Sequence, residues 1–259
     1  MKIGIFDSGI GGITVLHQAL LALPQARFLY YADADHVPYG EKSREEIVRY
    51  ADEAVGFLAR RGAVAVVVAC NTATSAAIGF LRGKYRFPIL GMEPAVKPAV
   101  QTCGDKRVMV VATPVTVRQD KLRNLLKRVD RTHTVDLLAL PGLVPFAERG
   151  EFDSPRVRQY LERTFAPYDL SRYSVLVLGC THFNYFKDTF ARIFPPGIAQ
   201  VDGCEGTVNN LVRVLRQTGL SGPGEPGAEY YISGRAVTDA PTLEKIARLH
   251  RRLGEMLRY

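Results

Sequence analysis

The chain has 259 residues, of which 47% are hydrophobic and 23% charged, and its formal net charge is +8. This is the composition of a globular protein with one large domain or two of ordinary size. It excludes a membrane-spanning segment, because the longest strongly apolar run, residues 63 to 70, is too short to cross a bilayer. Asp7 ends the N-terminal apolar run too early for the apolar region of a signal peptide, so we expect a cytoplasmic enzyme.

The positive charge is spread along the chain, and much of it falls on two predicted helices. These basic residues are Arg118, Lys121, Arg123, Lys127, Arg128, Arg248, Arg251 and Arg252. We interpret them as solvated helix faces, and nucleic-acid binding is the less favoured alternative because basic balance alone is a weak indicator. A basic surface would also attract a small anionic substrate.

Continuously apolar runs alternate with amphipathic stretches along the whole chain. Strands are predicted at Lys2–Phe6, Arg27–Tyr31, Ala63–Ala69, Pro88–Leu90, Arg107–Ala112, Thr134–Leu138, Val175–Leu178, Ala199–Val201 and Glu229–Ile232. Helices are predicted at Ile13–Leu23, Arg44–Arg61, Ala73–Lys84, Thr116–Arg128, Pro155–Phe165, Tyr185–Ile193, Thr207–Gln217 and Ala240–Arg252. The alternation predicts an α/β fold with mainly parallel sheets flanked by helices.

Similar strand ends recur at nearly the same spacing, which indicates an internal duplication. Asp7 and Thr113 lie 106 positions apart, and Cys70 and Cys180 lie 110 positions apart. We therefore expect two similar α/β domains, although chance similarity stays open. Residues 98–205 would form the second domain, and the unmatched C-terminal strand and helix would return to the first, giving it residues 1–97 plus 206–259.

Ligands of open parallel sheets bind beyond the carboxyl ends of the strands, where Asp7, Cys70, Thr113 and Cys180 all fall. The first such turn, DSGIGG from residue 7, can bring backbone amides close to an anion. A helix cap is the plain alternative. A dinucleotide fingerprint lacks its third glycine because Thr14 stands there, but Asp33 keeps that alternative open. The loop around Pro38, Tyr39 and Gly40 follows the second strand at the same sheet end.

Cys70 ends a buried strand in ACNTAT, directly before a helix. A helix start lowers a thiol pKa from about 8.5, so we expect an accessible thiolate, with Asn71 and Thr72 as donors to a carboxylate. A buried cysteine acting as a small apolar residue is the alternative. Cys180 repeats the arrangement in GCTHF, and His182 could carry a proton for it or be a structural histidine.

The four cysteines form no CxxC pair and no dense disulfide pattern, so free thiols are expected. Cys103 is interpreted as incidental, and Cys204 could lie near the cleft. A zinc site formed by Cys70, Cys180, Cys204 and His182 is disfavoured, because no close ligand pair supports it apart from Cys180 and His182. We therefore predict no metal.

The motifs DSGIGG, VPYG, ACNTAT and GCTH, in this order and with YYISG near the end, resemble the glutamate racemase family over nearly the whole chain. The resemblance implies two α/β domains with the active site in the cleft between them. It also implies cofactor-independent interconversion of L- and D-glutamate, which supplies D-glutamate for peptidoglycan. The partner expected is glutamate, with no membrane and no nucleic acid, while a homodimer is left open.

The resemblance also implies the site residues. Cys70 and Cys180 would be the bases, with Asp7 and His182 as auxiliary acid–base groups and Glu148 as a further carboxylate. The implied substrate contacts are Asp7, Ser8, Pro38, Tyr39, Gly40, Asn71, Thr72, Thr113, Thr116, Thr181 and His182. The chain departs from the family at Phe183 and Asn184 and in VDGCEGTV, which puts rate and affinity in doubt but not the reaction class.

Racemisation removes the Cα proton from one face and returns a proton to the other, so it requires one base for each face. Two cysteines in matched contexts meet that requirement. The resemblance assigns Cys70 to D-glutamate and Cys180 to L-glutamate. An aspartate racemase of the same fold, a thiol hydrolase using Cys180 and His182, and a non-catalytic binding module are the alternatives.

Overall fold

Two parallel sheets, each covered by helices, organise the computed structural model, which describes residues 1–92, 95–220 and 225–259. The first sheet has the order β10-β9-β2-β1-β3-β4 and the second the order β6-β5-β7-β8. The strands are β1 Lys2–Asp7, β2 Arg27–Ala32, β3 Ala63–Val68, β4 Ile89–Gly91, β5 Arg107–Ala112, β6 Val135–Ala139, β7 Tyr173–Leu178, β8 Ala199–Asp202, β9 Gly227–Ile232 and β10 Arg235–Ala236. The α/β prediction is confirmed.

The first sheet contains strands from both ends of the chain. Strand β1 pairs in parallel with β2 and β3, and β9 pairs in parallel with the outer side of β2. Only the two-residue β10, among the described strands, runs antiparallel to its neighbour. The division into domains at residues 97 and 205 stays a prediction.

In the second sheet, β5 lies between β6 and β7 and pairs in parallel with both. The registers place Ala112, Ala139 and Leu178 at one sheet edge. This edge corresponds to the one at which β1 and β3 end in the first sheet, so chemistry-bearing turns follow the strands of both sheets at their carboxyl ends.

The helices are α1 Ile13–Ala22, α2 Arg44–Arg60, α3 Asn71–Lys84, α4 Val96–Thr102, α5 Pro114–Arg118, α6 Asp120–Val129, α7 Leu143–Glu148, α8 Pro155–Phe165, α9 Lys187–Ile193, α10 Cys204–Gln217 and α11 Ala240–Met256. The single helix predicted over 116–128 is wrong, because Gln119 has extended backbone and separates α5 from α6. No glycine or proline marks that break, and Asp120 supplies the acidic first turn that favours a new helix start.

The predicted helix over 185–193 is also wrong at its start, since Thr181–Phe186 is a 3₁₀ helix and only Lys187–Ile193 is α-helical. The short helices α4 and α7 were not predicted. Each contains a proline, at Pro98 and Pro145, and each is too short to show helical periodicity.

One hydrophobic cluster spans the space between the two sheets. It includes Ile5 of the first sheet, Leu176 of the second, Phe183 and Phe186 of the 3₁₀ helix, and Leu249 of α11. Since interiors are close-packed, this shared core fixes the 3₁₀ helix after β7 relative to both sheets.

Within the ranges that the structure describes, no helix combines the length and the apolar character needed to cross a membrane.

Gly179 joins β7 to Cys180 at a point where the chain has no room for a side chain. A Cβ there would lie 2.9 Å from the carbonyl oxygen of Val111, a rigid backbone atom, and 3.0 Å from the Cβ of Ala112. We expect Gly179→Ala to lower the free energy of unfolding by about 1–3 kcal/mol, because the β5–β7 contact must spread. Urea unfolding followed by circular dichroism measures this.

Gly79→Ala is the matched control, since Gly79 is exposed on α3 and no neighbouring atom lies within 4 Å of the added Cβ. It should leave the stability unchanged or raise it. Equal stability of the two variants would contradict the packing argument.

Candidate active site

A small closed cavity lies where the carboxyl ends of β1, β3, β5 and β7 meet. Its volume is about 20 Å³, room for about one water molecule. It is lined by Ser8, Pro38, Tyr39, Gly40, Glu41, Cys70, Asn71, Thr72, Thr113, Pro114, Pro141, Val144, Cys180, Thr181 and His182. Both sheets therefore contribute walls to one site.

Cys70 follows β3 and is the N-cap residue of α3. Its sulfur accepts a hydrogen bond from the Ala73 amide at 3.4 Å and donates one to the Ser8 hydroxyl at 3.6 Å. The prediction of a lowered thiol pKa is wrong, because burial raises the pKa of Cys70 to about 12. The nearby Asp7 raises it further, and the Ala73 amide only partly opposes these effects. Cys70 is therefore a thiol here.

Asp7 ends β1 directly behind the cavity wall and is fully buried. Its carboxylate accepts hydrogen bonds from the Gly9 amide at 3.1 Å, the Thr181 hydroxyl at 3.1 Å and the Ser8 hydroxyl at 3.4 Å. Burial raises the pKa of Asp7 to about 6, although His182 and the two shorter hydrogen bonds act in the opposite direction. A carboxyl group with this pKa can gain or lose a proton near neutral pH.

Cys180 follows β7, and behind it His182 and Glu148 form a linked pair. The Cys180 sulfur lies 3.8 Å from Nδ1 of His182, whose Nε2 lies 2.6 Å from Oε1 of Glu148. Burial alone would lower the pKa of His182, but its hydrogen bonds to Cys180 and Glu148 raise it well above 6.5. Burial likewise opposes ionisation of Glu148, yet the bond to His182 dominates and lowers the pKa of that carboxyl. The pair is thus imidazolium and carboxylate.

Three threonine hydroxyls close the cavity between α3 and α5. Oγ1 of Thr72 lies 2.9 Å from that of Thr113 and 3.3 Å from that of Thr116, and Thr113 donates to Thr116 at 3.1 Å. Thr72 and Thr113 line the cavity, whereas Thr116 supports them from behind. Thr72 lies in α3, after β3 of the first sheet, whereas Thr113 and Thr116 lie at the start of α5, after β5 of the second sheet. These hydroxyl contacts therefore join the two sheets' helices.

The loop from Pro38 to Gly40 forms another wall, and Asp33 holds it. The Tyr39 hydroxyl donates to Asp33 at 2.6 Å, and Nδ1 of His36 lies 2.9 Å from the same buried carboxylate. These contacts occupy the Asp33 carboxylate inside the protein, so it is not free to bind a ribose. They argue against the dinucleotide-binding alternative.

The turn DSGIGG packs against the loop that follows Cys180. A Cβ at Gly11 would overlap the hydroxyl of Thr181 and lie 2.6 Å from Nδ1 of His182. Glycine is therefore required at position 11 so that β1 and the Cys180 loop can approach. The Ile10 amide of the same turn donates to Glu148 at 2.9 Å.

Most residues predicted as substrate contacts meet at the cavity, whereas Asp7, Thr116 and Glu148 stand behind its lining. Sequence reasoning missed Glu41, Pro114, Pro141 and Val144, which also line it. Pro141 follows the end of β6, so the same strand-end rule would have found that region.

Cys103 and Cys204 are buried away from the lining of the cavity. Cys103 follows α4 and contacts the Val100 carbonyl, while Cys204 begins α10 and contacts Thr14 and Asn184. The four cysteines are free thiols. Across residues 1–92, 95–220 and 225–259, no group of three or more His, Cys, Asp or Glu side chains is arranged to hold a metal ion.

Comparisons with known proteins place the chain among racemases. The family model described as Asp/Glu/Hydantoin racemase matches residues 13–211. The chain is 53% identical over 262 aligned residues to the glutamate racemase of Lachnospira eligens, covering 99% of each protein. Sequence similarity thus extends over both sheets and the cavity.

Solved structures agree with the fold. The glutamate racemase of Thermus thermophilus, in complex with β-chloro-D-alanine, is 33% identical with a TM-score of 0.75, over 98% of this chain and 93% of that one. The Escherichia coli glutamate racemase, in complex with L-glutamate and the activator UDP-MurNAc-Ala, has a TM-score of 0.83 at 27% identity, over 97% and 94%. The arrangement of the two sheets is therefore one found in those enzymes.

The raised pKa of Asp7 predicts a pH-dependent cost of folding. The unfolded chain ionises Asp7 near pH 3.8 and the folded protein only near pH 6, so stability is lost as the pH rises through this window. The two values correspond to about 3 kcal/mol. We expect Asp7→Asn to gain stability relative to the parent protein from pH 4 to pH 7, with the gain levelling off above that. Urea unfolding at several pH values tests this.

Asp105→Asn is the control, since Asp105 is exposed in the turn before β5. Its free energy of unfolding should equal that of the parent protein at every pH. The burial argument would be contradicted if the stability difference between Asp7→Asn and the parent protein did not change with pH.

Proposed function

The chain belongs to the Asp/Glu/hydantoin racemase family, and from this premise we propose that it interconverts L- and D-glutamate by proton transfer between Cα and two cysteines. The observation that carries the proposal is that Cys70 and Cys180, which follow strands of different sheets, line one buried cavity. A racemase needs a proton-transfer group for each face of the same carbon.

The proposed reaction begins with one thiolate removing the Cα proton, after which the opposite thiol donates its own proton to the other face of Cα. Cys180 removes the proton from L-glutamate and Cys70 delivers one to the other face. In the reverse direction the two cysteines exchange these roles. Each turnover from L-glutamate leaves Cys180 as the thiol and Cys70 as the thiolate, so both groups must exchange a proton before the next turnover in the same direction.

Different groups support the two thiols. At Cys180, the imidazolium of His182, held by Glu148, stabilises a thiolate and can return a proton to it. At Cys70, the Ser8 hydroxyl accepts a hydrogen bond from the thiol and donates one to the Asp7 carboxylate, so a proton leaving Cys70 has a hydrogen-bonded path to Asp7. We propose this Cys70–Ser8–Asp7 path as the route by which Cys70 becomes a base.

The cavity also offers polar groups to a substrate amino acid. The backbone amides at the start of α3, with the hydroxyls of Thr72 and Thr113, suit a carboxylate whose charge increases as Cα loses its proton. The Oδ1 atom of Asn71 is buried and has no hydrogen-bond partner among the residues that the structure describes. An ammonium group would satisfy this acceptor, which is costly to leave unpaired.

Entry of glutamate requires the walls to separate, because the cavity holds only about one water molecule. The hydroxyl contacts of Thr72 with Thr113 and Thr116 join α3 to the start of α5 beside the cavity, and in this proposal they break when glutamate enters. Closure afterwards would exclude water and strengthen electrostatic interactions with the reacting carbon.

D-glutamate formed in this way would serve peptidoglycan synthesis. The free thiols suit a reducing compartment, and we propose the cytoplasm as the site of the reaction.

A thiol hydrolase is the second candidate. The Cys180 sulfur contacts the His182 imidazole, which in turn contacts the Glu148 carboxylate, as in a nucleophile–base–carboxylate triad. It would form a covalent acyl intermediate on Cys180 and would have no use for Cys70. The variants below separate the two reactions.

We expect Cys70→Ala and Cys180→Ala each to lower racemisation by roughly 10²–10⁴-fold, because each removes the only base for one face. Circular dichroism of glutamate, followed from each enantiomer, measures the rate. Cys103→Ala is the matched control, since Cys103 is buried outside the cavity lining, and it should retain activity. Full racemisation by Cys70→Ala would exclude the two-base mechanism.

Incubation with L-glutamate in D2O, without added cofactor, should give D-glutamate with deuterium at Cα. The reason is that the proton delivered by Cys70 comes from a thiol that exchanges with solvent. Proton NMR and chiral chromatography follow both products, and L-aspartate is the comparison substrate. A keto acid, released ammonia or faster turnover of aspartate would refute glutamate racemisation as the main activity.

A further inference from the structure

Arg252 of α11 is bound to the loop that carries the Cys180 machinery. The sequence predicted it as part of a solvated basic face, and this is wrong for Arg252, whose side chain is only 18% exposed. Its Nη2 and Nε donate to the carbonyl oxygen of Tyr185 at 2.9 and 3.2 Å, and Nη2 also donates to Oδ1 of Asp188 at 2.6 Å. Its neighbour Arg251 is exposed and pairs with Glu244, as a solvated face requires.

The Tyr185 carbonyl that Arg252 contacts belongs to a segment whose own backbone hydrogen bonds are weak. Thr181–Phe186 is a 3₁₀ helix, a tight form with poorer hydrogen-bond geometry than an α-helix, and its last carbonyls need partners outside it. Arg252 provides two donors to one of them. Asp188, which is 8% exposed, would be a buried charge without this guanidinium.

From Tyr185 the contacts continue to the catalytic groups. The Tyr185 hydroxyl donates to the Ile10 carbonyl at 2.9 Å, and the Ile10 amide donates to Glu148 at 2.9 Å. Glu148 in turn holds His182 beside Cys180. The Tyr185 ring also stacks on the Phe152 ring, and the Arg252 guanidinium lies 5.6 Å from the centre of the Phe152 ring.

We propose that Arg252 is a positioning residue for proton transfer at Cys180, holding the 3₁₀ helix so that His182 and Cys180 face the substrate. The proposal rests on the proposed racemisation. Arg252 does not line the cavity, and its hydrogen bonds to Tyr185 and Asp188 are the contacts through which it acts on the Cys180 loop. Because α11 follows the first sheet's strands β9 and β10, the C-terminal helix thereby fixes a loop that follows β7 of the second sheet.

Three variants test the role in the full-length protein. Arg252→Met keeps the apolar stem but removes every donor, and we expect it to lower kcat by roughly 10- to 100-fold with KM changed far less, since small displacements of catalytic groups cost this much. Arg252→Lys retains the charge but cannot bind both acceptors as a planar fork, so it should restore part of the rate. Arg251→Met is the control and should keep the parent kcat.

Isotope effects distinguish positioning from a loss of folded protein. With glutamate deuterated at Cα, Arg252→Met should increase the isotope effect on kcat/KM from L-glutamate, because proton removal by Cys180 becomes more rate-limiting. From D-glutamate, whose proton Cys70 removes, the effect should decrease. A smaller fraction of active protein would leave both isotope effects unchanged.

The possible failures are separable. If the parent protein does not racemise glutamate, the proposed function is refuted and the role of Arg252 falls with it. If the parent racemises glutamate but Arg252→Met keeps the parent kcat, or loses rate with both isotope effects unchanged, the positioning role alone is overturned.

Discussion

Burial of ionisable groups in one closed cavity is the constraint on which the rest of the structure depends. Asp7, Cys70 and His182 are buried in or directly beside it, and burial disfavours the charged form of each of these groups. The thiol of Cys70 and the carboxyl of Asp7 respond by a raised pKa. The hydrogen bonds of His182 with Cys180 and Glu148 raise the pKa of its imidazole despite burial. The surrounding protein must therefore supply both a dry core and specific polar partners.

The polar partners come largely from across the boundary between the two sheets. Thr181 donates to Asp7, the Ile10 amide donates to Glu148, and Tyr185 donates to the Ile10 carbonyl. The apolar cluster around Phe183 and Phe186 fills the space behind these bonds. Polar contacts thus set the distances between the buried ionisable groups, while close packing keeps those distances fixed.

The two thiols are supported by different chemistry, although they occupy similar strand-end positions. Cys180 has an imidazolium–carboxylate pair, whereas Cys70 has a hydroxyl and a carboxyl group of raised pKa. The racemisation proposed above does not require two identical bases, because the equilibrium between enantiomers is independent of the catalyst. In that proposal each thiol needs only a route by which it can exchange its proton.

Local pattern was sufficient for the strands and for the residues that follow them. Continuously apolar runs can only be buried strands here, and their carboxyl ends carry Asp7, Cys70, Thr113 and Cys180, so the cavity lining was largely foreseeable. Local pattern was insufficient for the break at Gln119, since no glycine or proline marks it and a single acidic residue at Asp120 is a weak signal of a new helix start.

The sequence by itself determined the α/β class, the strand-end placement of two cysteines and the motifs of the racemase family, because these depend on short-range periodicity and residue type. Only the tertiary structure decided which way the thiol pKa of Cys70 moves, since burial outweighs the helix start. It also decided that Arg252 is bound inside while Arg251 lies in solvent. Adjacent basic residues look alike in sequence, and only the packing of α11 against the Cys180 loop gives one of them a buried acceptor.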